Sequence, residues 1–174
     1  MNKGKVKIIL LDLLLFILLI VADQVTKYLA IVHLKGQEAI ALIDGVLELQ
    51  YLENRGSAFG MLQNQKVFLL FVGVLFMAVL LFFVIKMPAE KKFIPANIVF
   101  TMVMAGGIGN MIDRIRFDFV VDFISFVLIN FPIFNVADIF IVIGTFSLFV
   151  LFMFVYKEKD LEFLSFKQNR YREM

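Results

Sequence analysis

Four aspartates, Asp23, Asp113, Asp122 and Asp138, lie inside or beside long apolar runs, where a carboxylate is costly unless it has a partner or a task. Asp122 in VVDF and Asp138 in FNVAD are sixteen residues apart, with Pro132 between them, so a returning loop can bring them together. Two adjacent carboxylates do not both ionise easily; one keeps a proton while the other acts as a base. Such a pair activates a water and protonates a leaving amine, the acid and base work of aspartic peptide hydrolysis. The spacing permits this pairing and does not require it.

The remaining polar residues repeat at helical intervals. Asp23 and Lys27 stand at i and i+4, as do Asn110 and Arg114, with Asp113 at i+3 from Asn110; Asn135 and Asp138 are again i and i+3. Each set therefore shares a helix face. Asp23 with Lys27 also reads as a local ion pair anchoring a helix at the membrane interface, and Asn135 or Asp138 as an ordinary helix cap. Aspartate has a short stem and snorkels poorly, which favours a protein-lined polar site for Asp23, Asp113 and Asp138. Asp12, eleven residues before Asp23, shares that face toward the other end of the helix and is read as structural.

These residues need elements to hold them, and composition selects the kind. Of 174 residues 61% are hydrophobic, 22 are phenylalanine and mean hydropathy is +0.92, more apolar surface than a water-soluble core of this size can hide. Four stretches reach the ~20 residues a helix needs to cross a bilayer: 8–28, 67–85, 93–112 and 136–156. The expected fold is an α-helical membrane protein, one four-helix domain spanning 1–174, with a small strand-rich platform outside the membrane. Extracytoplasmic segments are expected at 29–66 and 113–135.

Lysines and arginines orient the chain. With a cytoplasmic N-terminus, Lys3, Lys5, Lys7, Lys86, Lys91, Lys92, Lys157, Lys159, Lys167, Arg170 and Arg172 lie inside, and Lys27, Lys35, Arg55, Lys66, Arg114 and Arg116 lie outside. This bias puts both termini in the cytoplasm and gathers the unusual polar residues at the outer leaflet. The basic start followed by an apolar run also fits a cleaved secretory signal. Its length, and the lack of a small-residue cleavage site before DQVTK, favour a retained span.

Between the spans, DGVLELQYLENRGSAFG alternates Leu47, Leu49 and Tyr51 with Glu48 and Gln50, the pattern of a strand bounded by Gly45 and Gly56. FVVDFISFVLINFP is too apolar for a free loop and too short to span, and reads as an interfacial segment holding Asp122 at the surface. Gly106, Gly107 and Gly109 fit no phosphate loop; in a membrane helix they allow close packing or leave room for a substrate.

Several function classes drop out. The net charge of +2, without a basic stripe, gives no footprint for nucleic acid. Absent cysteine removes disulfides, thiol nucleophiles and lipidation on cysteine, and His33, the sole histidine, is an unpromising metal ligand. No metal or cofactor is expected. Two alternatives stay open: a hydrolase pairing Ser57 with Lys27 or Lys66, and a small transporter lined by the acids.

The blocks DQVTK (23–27), NRGSAFG (54–60), GNMIDR (109–114), VVDFI (120–124) and FNVAD (134–138) together resemble the signature blocks of the lipoprotein signal peptidase (signal peptidase II) family, in the family order. That resemblance implies an aspartic endopeptidase of the bacterial inner membrane, cleaving prolipoprotein signal peptides before a diacylglyceryl-modified cysteine. It implies a catalytic dyad of Asp122 and Asp138. Asn54, Asn110, Arg114 and Asn135 then bind substrate or globomycin-type inhibitors, and Asp23, Lys27, Gly56 and Asp113 support the site. The expected partners are a lipidated prolipoprotein and membrane lipids, with the enzyme a monomer. The charged tail after Tyr156 lies outside the blocks and receives no role.

Overall fold

The computed structural model describes residues 3–57 and 61–164. Four long helices carry the chain: α1 (Lys3–Leu34), α2 (Lys66–Lys86), α3 (Ile94–Phe117) and α4 (Val136–Val150), the last continued by a π-helical turn at Leu151–Val155. All four are long and apolar enough to cross a membrane. At ~1.5 Å per residue the 32 residues of α1 extend about 48 Å, well beyond a hydrocarbon core of ~30 Å, so both its ends emerge from the apolar slab. α1 and α3 each outrun the spans expected at 8–28 and 93–112, and Asp113 and Arg114, expected on one helix face with Asn110, sit within α3 beyond the expected span.

α3 is the central helix. Its apolar stretch is 61% buried, against 6% in each of the other three, and its mean hydropathy of 1.4 is the lowest of the four. The two facts have one cause: a helix sheathed by protein can carry polar residues that find partners there, while a helix facing lipid cannot. Close approach comes from its glycines. A Cβ on Gly106 would strike Ala137 O and Ile141 of α4, and one on Gly109 would strike Asp23 Oδ2 of α1. Both glycines thus serve packing.

Three antiparallel strands, β1 (Ile40–Ile43), β2 (Leu47–Asn54) and β3 (Val120–Phe126), form a sheet in the order β1-β2-β3. Gly45, at φ +68°, supplies the left-handed residue of the β1–β2 turn. The third strand lies in the stretch expected as an interfacial segment. Its β-branched and aromatic residues pair with β2, Leu52 opposite Asp122 and Asn54 opposite Val120, and Val120–Phe123 are buried. A run buried on both faces shows no alternation, so its strand character was hidden. The apolar character survives at the tip beyond it, where Leu128 and Ile129 are each 68% exposed.

At the opposite end of the bundle the chain folds back. Phe93, at the start of α3, packs on Tyr156 and Phe163 with ring centroids 5.3 and 5.4 Å apart; Tyr156 Oη donates to Lys92 O, and Lys92 pairs with Asp160. The first part of the charged tail therefore seals one end of the helices. Lys167, Arg170 and Arg172 lie outside the described residues.

Candidate active site

Helix α4 begins with its orphan amides satisfied one by one. Asn135 is the N-cap: its Oδ1 accepts from Asp138 N at 3.0 Å, and Asp138 Oδ2 accepts from Asn135 N at 3.1 Å, a reciprocal capping box. The amide of Ala137 between them donates to Asp23 Oδ1 of α1 at 3.0 Å. Two carboxylates thus sit at the positive end of the α4 dipole. The cap also aims Asp138.

Asn135 does a second thing with the same side chain. Its Nδ2 donates to Asp122 Oδ1 at 2.6 Å, so one buried residue binds both carboxylates, Asp122 through its side chain and Asp138 through its backbone N–H. The other oxygen of Asp122 accepts from Asn54 Nδ2 at 2.8 Å, and Asn54 is held in that orientation because its Oδ1 accepts from Gly56 N. Asp138 Oδ1 accepts from Asn110 Nδ2 at 2.8 Å. Every carboxylate oxygen of the pair therefore has one amide donor and keeps acceptor capacity for a water or a substrate. Asp122 is 1% exposed, and this burial, with the adjacent charge of Asp138, pushes its carboxyl up to about 7. Hydrogen bonds from Asn54 and Asn135 and the charge of Lys27 oppose that rise.

Behind the pair lies a buried ionic knot. Lys27 Nζ is 3.0 Å from Asp23 Oδ2, 3.0 Å from Asp113 Oδ2 and 2.8 Å from Asn110 Oδ1, so all three ammonium protons have an acceptor. Asp113 Oδ2 also accepts from Val121 N, which fixes the strand residue next to Asp122. The ion pair expected within α1 exists, but its second carboxylate comes from α3 and makes it a tertiary clasp. Because Lys27 holds Asn110 Oδ1, the amide nitrogen of Asn110 is left facing Asp138. Arg114 closes the outer side, Nη1 donating to Asn110 O and Nη2 to Gly56 O at 2.7 Å.

The ten residues named for the site, Asn54 and Gly56 among them on the family blocks alone, meet in this one constellation. Ser57 does not find a lysine: its Oγ donates to Met61 O, Lys27 is committed to the ionic knot, and Lys66 pairs with Asp118. Residues 58–60 of the NRGSAFG block lie outside the described residues. The sequence model of the signal peptidase (SPase) II family matches residues 15–155, which takes in every residue of the site. This chain belongs to the signal peptidase II family.

Relatives agree over nearly their full lengths. A lipoprotein signal peptidase of Caldanaerobacter subterraneus is 44% identical over 76% of this chain and 88% of its own. Those of Clostridium tetani and Clostridioides difficile are 35% and 37% identical, covering 87% and 83% of this chain and 96% of each relative. Two solved structures of bacterial membrane enzymes, obtained by the in meso method, superpose with TM-scores of 0.70 and 0.71 at 26% and 27% identity. They cover 90% and 83% of this chain, and 93% and 94% of their own. The chain is thus a multi-pass bacterial membrane protein of a peptidase family.

One participant escaped the reading of the sequence. Gln24 Nε2 lies 3.1 Å from Asp23 Oδ2, 3.0 Å from Asp113 Oδ1 and 3.3 Å from Gly109 O, stitching α1 to α3 beside the ionic knot. A glutamine next to Asp23 in so apolar a helix carried the same cost signal as the aspartates. Asn135, expected to face substrate, is fully buried with its polar side-chain atoms engaged by the protein.

Proposed function

We propose that this protein is an aspartic endopeptidase that removes signal peptides from bacterial prolipoproteins, cutting before the diacylglyceryl-modified cysteine, with Asp122 and Asp138 as its catalytic dyad. The observation that carries the reading is one buried residue, Asn135, holding both carboxylates, Asp122 through Nδ2 and Asp138 through its backbone N–H, with Asp122 pushed up to about 7. Asp138, with two N–H donors at a helix N-terminus, suits the anionic base that takes a proton from water. Asp122 suits the acid that protonates the leaving amine. Asn135 positions the two, while Asn54, Asn110 and Arg114 line the half-buried approach and orient the scissile carbonyl of the substrate. Asp23, Lys27, Gly56 and Asp113 hold the frame.

The positive-charge bias supports an arrangement with both termini cytoplasmic and the dyad toward the outer leaflet. The substrate's signal helix then enters laterally, its lipid remains in the bilayer, and only the cleavage site reaches the water. Globomycin-type peptides compete for the same approach, and the enzyme works as a monomer.

The test is cleavage of a lipidated precursor by the protein in membranes, followed as a mobility shift on a gel. Asp122→Asn and Asp138→Asn are each expected to abolish processing while inserting normally, and Ser57→Ala to retain it. Wild-type cleavage by either aspartate variant would overturn the dyad.

A further inference from the structure

The end of the bundle remote from the dyad holds a second group of polar atoms, and these lack partners. Asp12 of α1 is half-buried inside the span, and no donor among the described residues reaches its carboxylate. It lines a cleft of about 20 Å³ together with Lys5, Ile8, Val84, Met87 and Asn97. Asn97 is 5% exposed and its Oδ1 has no hydrogen-bond partner; one helical turn further along α3, Thr101 is 1% exposed and its Oγ1 has none. Leaving such groups unsatisfied costs ~1–3 kcal/mol each, and an uncompensated carboxylate within the bilayer more.

The unmet atoms that line the cleft share a character: the carboxylate of Asp12 and the amide oxygen of Asn97 accept hydrogen bonds and donate none, whereas the Thr101 hydroxyl lies outside the lining. What completes them must donate, and to offset Asp12 it should carry positive charge. A primary ammonium has three donors, no acceptor and the bulk of about one water, which suits so small a cleft. The same chain builds such a cradle at the other end, where two carboxylates and an amide oxygen surround Lys27. There the ammonium comes from within.

Here the position selects an outside source. The cleft lies at the end of the bundle that carries Lys3, Lys7, Lys86 and Lys91, a basic end suited to anionic headgroups. Lys5 stands on its rim, its Nζ donating to Ile85 O at 3.4 Å and forming no ion pair among the described residues, which leaves it available to a phosphate. We propose that this cleft is a second binding site, for the primary ammonium of an aminophospholipid headgroup, with Lys5 beside the lipid phosphate. Asp12 and Lys5 precede the family-matched residues 15–155, while Val84, Met87 and Asn97 fall within them.

The experiment uses the full chain in nanodiscs of phosphatidylglycerol mixed equally with either phosphatidylethanolamine or phosphatidylcholine, which have the same phosphate and differ in the N–H donors. Lipid retained on the protein is read by native mass spectrometry. Phosphatidylethanolamine is expected to be retained about tenfold over phosphatidylcholine, the scale of one charge-assisted hydrogen bond. Asp12→Asn is expected to erase that preference while precursor cleavage persists. Equal retention of the two lipids would assign the cleft to water or to Lys5 itself and overturn the proposal. So would a preference that survives Asp12→Asn but disappears in Lys5→Met, because recognition would then rest on the phosphate alone.

Discussion

Replacing Lys27 by methionine keeps the length of the side chain and removes one charge from the middle of the ionic knot. Lys27 is 2% exposed and its ammonium touches Asp23 Oδ2, Asp113 Oδ2 and Asn110 Oδ1, all within 3.0 Å. Without it two buried carboxylates face each other with only Gln24 Nε2 between them. Breaking a buried pair by removing one partner costs ~3–5 kcal/mol, against ~0–1 kcal/mol for an exposed pair. At ~2–4 °C per kcal/mol for a chain of this size, the midpoint of thermal unfolding in detergent should fall by about 6–20 °C. Adding Asp113→Asn to Lys27→Met should recover part of the loss, since one buried charge is then gone. If Lys27→Met costs under about 1 kcal/mol, or the second substitution makes matters worse, the knot is not the electrostatic clasp described.

Asn54→Ala removes a donor that favours the charged form of Asp122, so its carboxyl should rise from about 7. With Asp122 acting as the acid, the alkaline limb of kcat/KM against pH should move to higher pH, and an unmoved or lowered limb contradicts the assignment. Gly109→Ala places a methyl against Asp23 Oδ2 with Ala137 Cβ nearby, and should cost about 1–3 kcal/mol by overpacking, read as a lower unfolding midpoint.

The four helices were legible because the bilayer imposes a length and polarity that composition reports directly. The site residues were legible for a related reason: in so apolar a chain Asp23, Asp113, Asp122 and Asp138 each had to be explained. What spacing could not supply was the pairing. Asp23 and Lys27 read as a local pair, because the second carboxylate, Asp113, arrives from a helix some eighty residues away. Likewise Asn135 read equally well as a cap and as a substrate contact. It caps α4 and also binds Asp122, and a sequence shows only one neighbourhood at a time. β3 stayed hidden because Val120 to Phe123 are buried on both faces, which removes the alternation that marked β2.

The hydrogen bond from Ala137 N to Asp23 Oδ1 joins the first span to the last. During synthesis α1 enters the membrane well before α4 exists, and until Asn135–Asp138 have emerged nothing can seat the second carboxylate beside the first. A chain halted after three spans carries Asp122 without Asp138. With Asp122 and Asp138 as the proposed pair, peptide-bond chemistry waits until the start of the last span has been made and has docked on the first.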